Sequence, residues 1–181
     1  GDALILTKGL GVGIYSSAIK KGRLDGAGYA EMIATTTLLN RIGGDLGRNP
    51  AVHAVTDVTG FGLAGHGLEI ARGSGLTVVV DVDRVPLLAQ AADLAAAGCV
   101  TGASHRNWAS YGDEVDLPEG FAEAGRHLIT DPQTSGGLLV ACAAEAADDL
   151  IATMRAAGLP AATRIGRLEA GEPRLRFVHG G

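Results

Sequence analysis

An α+β fold is predicted for residues 1–181, a mixed β-sheet covered by helices in a single domain. Three observations predict it. Short apolar or β-branched runs are interleaved with segments of helical period, without strict βαβ regularity. Apolar residues make up 46% of the 181, enough for one sizeable core at a length that suits one domain. The 28 glycines follow no collagen period and suggest tight turns and close backbone approach.

The elements follow in order. Ala3–Thr7 is a short apolar strand ended by glycines. Gly11–Lys20 reads as a helix with Ile14, Ala18 and Ile19 on one side. Asp25–Ile42 reads as a longer helix, because Met32, Ile33, Thr36 and Leu39 keep the helical period, and Gly43-Gly44 would stop it. Val52–Val58 alternates and is β-branched, hence a strand. Gly62–Arg72 is a helix with Leu63, Leu68 and Ile70 apolar, closed by Gly73 and Gly75. Leu76–Val82 is a strand buried on both faces. Leu87–Ala97 is an alanine-rich helix after Pro86. Short helices are expected near Ser104–Tyr111 and Pro118–Arg126, and His127–Ile129 reads as extended. A polar loop, Thr130–Gly137, leads into the apolar strand Leu138–Ala141. Ala144–Ala157 is a helix with Leu150, Ile151 and Met154 inward. Thr163–Leu168 and Leu175–Val178 flank a glycine-containing turn and read as a terminal hairpin.

Composition narrows the function. With 15 Lys and Arg against 20 Asp and Glu, the net charge is −5, and one Trp, three Tyr and three Phe offer no stacking platform. Both facts argue against a nucleic-acid binder. No apolar run has the length of a membrane span, and no signal peptide opens the chain. Cys99 and Cys142 lie far apart in apolar settings without a CxxC pattern, so buried free thiols in a reducing cytosol are expected. The five histidines lack metal-ligand spacing. The chain starts at Gly1 rather than Met, so either its start was processed or it is a piece of something longer.

Four segments have the composition of a site. In Thr7-Lys8-Gly9-Leu10-Gly11-Val12-Gly13, free amides at a helix start beside a lysine could bind an anion, although the spacing is neither Rossmann nor Walker, and a simple turn is the plainer reading. In Thr56-Asp57-Val58-Thr59-Gly60-Phe61-Gly62, an acid ends a strand, and a hydroxyl and glycines open a helix. Asp57 could supply a carboxylate to Mg²⁺ and the Gly60–Gly62 amides could face phosphate oxygens; the alternative is that Asp57 or Thr59 caps the helix. Asp131–Gly137 concentrates polar side chains that either act on a ligand or satisfy their own loop. In Gly102–Trp108, Arg106 and Asn107 either meet an anionic substrate or belong to a capped short helix in which Arg106 pairs with a carboxylate. No nucleophile–base pair is legible.

The string Asp57-Val58-Thr59-Gly60-Phe61-Gly62 with Gly65-His66, and Leu128–Leu139 containing Asp131-Pro132-Gln133-Thr134-Ser135-Gly136-Gly137, resemble the selenophosphate synthetase (selenide, water dikinase) family. Asp2–Lys8, Gly102-Ala103 and Arg106-Asn107 match as well, in the family's order over nearly the whole chain. The resemblance is to the C-terminal half only. It implies a three-layer α/β/α sandwich with a mixed sheet, the C-terminal domain of the aminoimidazole ribonucleotide synthetase superfamily. It implies an enzyme that makes selenophosphate from selenide, ATP and water with Mg²⁺, releasing AMP and phosphate. ATP and selenide would be handled mainly by an N-terminal half that carries the Cys or selenocysteine and the essential Lys. That half is not in this sequence, so these residues alone are expected to be inactive. Carried over by residue, Asp57 would ligate Mg²⁺, and Thr59, Gly60 and Gly62 would lie beside the nucleotide phosphates. Gly9 stands where the family usually has Pro, and Val12 where it often has Thr. The full-length enzyme would be a cytoplasmic homodimer formed largely through the N-terminal half, leaving the fragment free to be monomeric. The alternatives are another ATP-dependent synthetase or kinase of the superfamily, in which the DPQTSGG string is not expected, or a stand-alone binding module without catalysis.

Overall fold

Seven strands carry the architecture in the computed structural model, which describes residues 1–180. They are β1 (Ala3–Leu6), β2 (Val52–Asp57), β3 (Thr77–Asp81), β4 (Val115–Asp116), β5 (Leu138–Cys142), β6 (Thr163–Glu169) and β7 (Leu175–Val178). They form one sheet in the order β2-β5-β1-β6-β3-β7-β4. Pairings from β2 to β3 are antiparallel, whereas β3–β7 and β7–β4 are parallel, so the sheet is mixed. The helices are α1 (Val12–Lys20), α2 (Gly26–Thr37), α3 (Gly43–Leu46), α4 (Gly62–Ser74), α5 (Ala91–Ala96), α6 (Gly102–Tyr111), α7 (Glu123–Ile129) and α8 (Ala147–Ala156).

The period of two along β1 divides the core between two faces. Leu4 and Leu6 pack with Leu63 and Leu68 of α4 and Tyr111 of α6. Ala3 and Ile5 face the other way, with Leu150 and Met154 of α8 and Leu46 of α3. Helices therefore cover both faces, which is the expected three-layer sandwich. A third cluster joins Val12, Ile14 and Tyr15 of α1 to Leu94 and Ala95 of α5. Both cysteines are free and buried. No helix among the described residues is long and apolar enough to cross a membrane.

Four expectations are corrected. The helix expected to run to Ile42 ends at Thr37, where Leu38 turns extended (ψ 117°), and Gly43-Gly44 opens α3 instead of stopping a helix. The helix expected from Leu87 begins at Ala91, because Leu87 forms a parallel bridge with Leu10 and the Leu88 amide bonds to the Leu10 carbonyl. His127–Ile129 is the last turn of α7 rather than extended, and the helix expected over Pro118–Arg126 begins five residues later, at Glu123, and ends at Ile129. The terminal hairpin does not form: β3 inserts between β6 and β7, pairing antiparallel with one and parallel with the other.

Candidate functional site

Antiparallel pairing brings three of the four segments to one end of the sheet. Leu6 lies opposite Leu139, and Asp57 opposite Leu138. The chain leaving β1 at Thr7-Lys8, the chain leaving β2 at Asp57-Val58 and the chain entering β5 through Gly136-Gly137 therefore meet. The strands are tied there: the Val58 amide donates to the Gly137 carbonyl at 2.8 Å, and the Leu138 amide donates to Thr7 Oγ1 at 2.7 Å. A Cβ on Gly136 would stand 2.0 Å from the Val58 carbonyl oxygen, so no larger residue passes this junction.

The first glycine segment is not an open anion site. Its four amides are taken from far along the chain: Gly13 and Ile14 donate to Asp131 Oδ2 at 2.9 and 3.2 Å, and Gly11 and Val12 to Gln133 Oε1 at 3.3 Å each. Asp131 and Gln133 thus cap α1, and the carboxylate occupies the place an anion would take at a helix start. Asp131 is wholly buried, and burial pushes its carboxyl up to about 7, against the lowering effect of the bonds from Ile14, Gln133 and Gly13. Its Oδ1 has no partner among the described residues.

Lys8 is likewise committed. Its ammonium donates to the carbonyls of Leu38 (2.6 Å), Ser135 (2.7 Å) and Thr35 (3.3 Å), so it closes the C-terminal end of α2 onto the Asp131–Gly137 loop. Burial lowers its pKa. A cation is well placed against the orphan carbonyls of a helix end.

The second segment is the open one. Asp57 is exposed on the last position of β2, an edge strand, beside an open depression of about 410 Å³ lined also by Asn40, Gly43, Val55, Thr56 and Leu138. The helix that follows, α4, has no side-chain cap at Phe61, so Asp57 and Thr59 do not cap it. Gly60 faces open space where a Cβ would be, and its carbonyl accepts from Asn107 Nδ2 at 2.8 Å. Gly62 is different: its φ is +69°, its amide donates to the Thr59 carbonyl, and a Cβ there would stand 2.7 Å from the Thr130 carbonyl carbon. That glycine is required by the turn and by close approach to the loop before Asp131.

Asn107 is buried and ties the two loops together, donating also to the Thr130 carbonyl at 3.0 Å, so it is not free to meet a substrate. Arg106 is exposed and forms no ion pair among the described residues, contrary to the pairing expected for it, while Thr101 caps α6 as expected for a short capped helix. Among the described residues no group of three or more His, Cys, Asp or Glu is arranged to hold a metal.

One arrangement escaped the reading of the sequence. Thr59 Oγ1 lies 3.1 Å from Nε2 of the buried His66, whose Nδ1 lies 2.8 Å from Glu69 Oε2. The signal was present: His66 and Glu69 stand three apart on α4 and so share a face.

The family model described as AIR synthase related protein, C-terminal domain, matches residues 1–178. A selenide, water dikinase of Rhizobium meliloti is 57% identical over 178 residues, covering 98% of this chain and 51% of the relative. The chain thus spans about half the length of the relatives it matches. Among solved structures, a thiamine-monophosphate kinase from Stenotrophomonas maltophilia superposes with a TM-score of 0.65 at 21% identity, covering 98% of this chain and 50% of that one. Hydrogenase maturation protein HypE in complex with ATP gives 0.64 at 19% identity, covering 98% and 47%. At such identities these two establish the fold alone.

Proposed function

The chain belongs to the AIR synthase related family, C-terminal domain, and on that premise we propose that it is the C-terminal half of a selenide, water dikinase. The whole enzyme makes selenophosphate from selenide, ATP and water and releases AMP and phosphate. The observation that carries this reading is the 57% identity to such an enzyme along nearly the whole chain. The geometry supports a division of labour at the end of the sheet. The Asp131 loop builds and closes the framework, and the Asp57–Gly60 segment is the part left open to a ligand.

In this reading Asp57 contributes one carboxylate to Mg²⁺, and Thr59, Gly60 and Gly62 form the segment beside the ATP phosphates. Mg²⁺ is commonly held by one or two carboxylates, substrate phosphates and water. An exposed acid beside an open depression fits the role of one contributor to a site completed from the other half of the protein. The metal, when bound, offsets charge on the phosphates. Asp57 holds negative charge at the strand end, Gly60 keeps the loop surface bare, and Gly62 sets the turn that presents both. Selenide binding, the homodimer and the cytoplasmic setting belong to the whole enzyme in the same reading, and neither nucleic acid nor membrane is a partner.

Asp57→Asn in the full-length enzyme tests it. Asn keeps the size and removes the charge, so Mg²⁺-dependent turnover should fall about a hundredfold or more with the melting temperature unchanged. Near-normal turnover across the Mg²⁺ range overturns the assignment.

A further inference from the structure

We propose that His66 and Glu69 fix the hydrogen-bond polarity of Thr59, so that its hydroxyl donates inward and offers only lone pairs to the ligand of the Asp57 loop. Thr59 then accepts from the water shell of a hydrated cation and does not donate to a phosphate oxygen. The inference deepens the function proposed above and rests on it for the identity of the ligand, though not for the polarity itself.

The polarity follows from counting donors. An ionised carboxylate only accepts, so at 2.8 Å from Glu69 Oε2 the proton of the bond must sit on His66 Nδ1. In the neutral ring Nε2 then carries a lone pair. Thr59 Oγ1 is 3.1 Å from it and must donate. A hydroxyl has a single hydrogen, and here it is spent on the ring. What Thr59 has left are acceptor sites.

The supports are rigid where they need to be. His66 is buried within α4, while the Glu69 side chain is half-exposed at 50%. The two stand three apart on one helix, so the backbone sets their spacing. Phe61 lies against the ring, with centroids 6.1 Å apart. His66 and Glu69 are positioning residues: they reach the ligand only through Thr59.

An oxygen that can only accept is repelled by phosphate oxygens and attracted by water bound to a cation. Mg²⁺ dehydrates reluctantly and keeps several waters. Asp57 and Thr59, two residues apart, would then share the cation and its shell, one by charge and the other as a neutral acceptor. Phosphate contacts would fall to the backbone around Gly60.

The protonation of both ring nitrogens is read directly by long-range ¹H–¹⁵N correlation of His66 in this chain at the pH of the activity measurements. The expected result is the proton on Nδ1, with Glu69→Ala raising the Nε2–H population. A wild-type ring protonated on Nε2, or on both nitrogens, overturns the proposal, since Thr59 would then accept from the ring and could donate outward. The ligand is read in the full-length enzyme. Thr59→Val should raise the Mg²⁺ concentration needed for half-maximal activity about fivefold and leave the ATP KM at saturating Mg²⁺ within about twofold, the loss expected for one neutral hydrogen bond. Thr59→Ser should restore wild-type values, which separates loss of the hydroxyl from loss of the fold. A raised ATP KM with an unchanged Mg²⁺ requirement overturns the assignment of Thr59 to the hydrated cation. Should Asp57→Asn leave the Mg²⁺ requirement untouched, the assignment of Asp57 to the metal fails while the tautomer result stands by itself.

Discussion

Gly60 and Gly62 sit two positions apart in one motif and face opposite constraints. Gly62 has a positive φ and backbone atoms 2.7 to 3.0 Å from where a Cβ would be, whereas Gly60 has neither constraint. Gly62→Ala should therefore cost about 2 kcal/mol or more in a urea melt, combining strain with overpacking. Gly60→Ala should stay within about 0.5 kcal/mol of wild type, as surface changes usually do. If Gly60→Ala nonetheless weakens ATP binding in the full-length enzyme, the effect belongs to the ligand. Asp131 gives a second test, in pH. Burial raises its folded-state pKa to about 7, well above the ordinary carboxylate range. A raised carboxyl contributes stability that is fully present below its unfolded pKa and is lost as pH rises through the folded value. Asp131→Asn keeps an oxygen for the Gly13 and Ile14 amides and cannot ionise. Its stability relative to wild type should rise between pH 4 and 8 in paired denaturant melts, and a flat difference would refute the burial argument.

Lys8 closes the end of a thinly packed element, α2. Only Gly28 is buried along it, and Tyr29 and Ile33 are 54% and 44% exposed, so its packing is thin. Thr36 and Thr37 turn their hydroxyls back to the carbonyls of Met32 and Ile33, and Lys8 takes those of Thr35 and Leu38. Lys8→Met should leave the sheet intact while amide exchange in α2 accelerates about tenfold or more, since hydrogen bonds to a charged group are worth roughly 1.5–3 kcal/mol. Unchanged protection of α2 would mean that Lys8 does not hold it. The same region shows where the sequence stopped being legible. Runs with a clear local period, such as α1, β2, α4 and α8, were readable because their burial repeats within the segment, and β1 and β5 because they are short, wholly apolar runs. The end of α2 was not, because the stop comes from a lysine at position 8. The β6–β7 hairpin misled for a related reason: a local turn was visible, whereas the insertion of β3 is a non-local pairing. In the site, Asp57 and Gly60 were legible as an acid at a strand end before a glycine turn. The duty of Asp131 was not, since it lies 118 residues from the amide that it caps.

At the scale of the whole molecule, completeness of the core and incompleteness of the proposed site make separate predictions. Both faces of the sheet are covered and all three apolar clusters close within residues 3–177, so these 181 residues should unfold in one cooperative transition with well-dispersed amide NMR signals. An expanded, dye-binding state without near-ultraviolet signal would contradict that. The open loop, by contrast, brings a single exposed carboxylate at Asp57 and an uncapped helix start. Ligands stabilise a fold in proportion to the logarithm of their concentration over Kd. One carboxylate holds Mg²⁺ weakly because most of the ion's shell remains water. Millimolar Mg²⁺ should therefore shift the melting temperature of this chain by less than about 1 °C, and the chain alone should convert no ATP to AMP in the presence of selenide. Joined to the other half of its longer relatives, the same domain should gain several degrees with Mg²⁺ and ATP together and lose that gain on Asp57→Asn. Selenide-dependent AMP formation by these residues alone would overturn the view that the chemistry needs both halves. A metal shift that survives Asp57→Asn would remove Asp57 from the metal's shell.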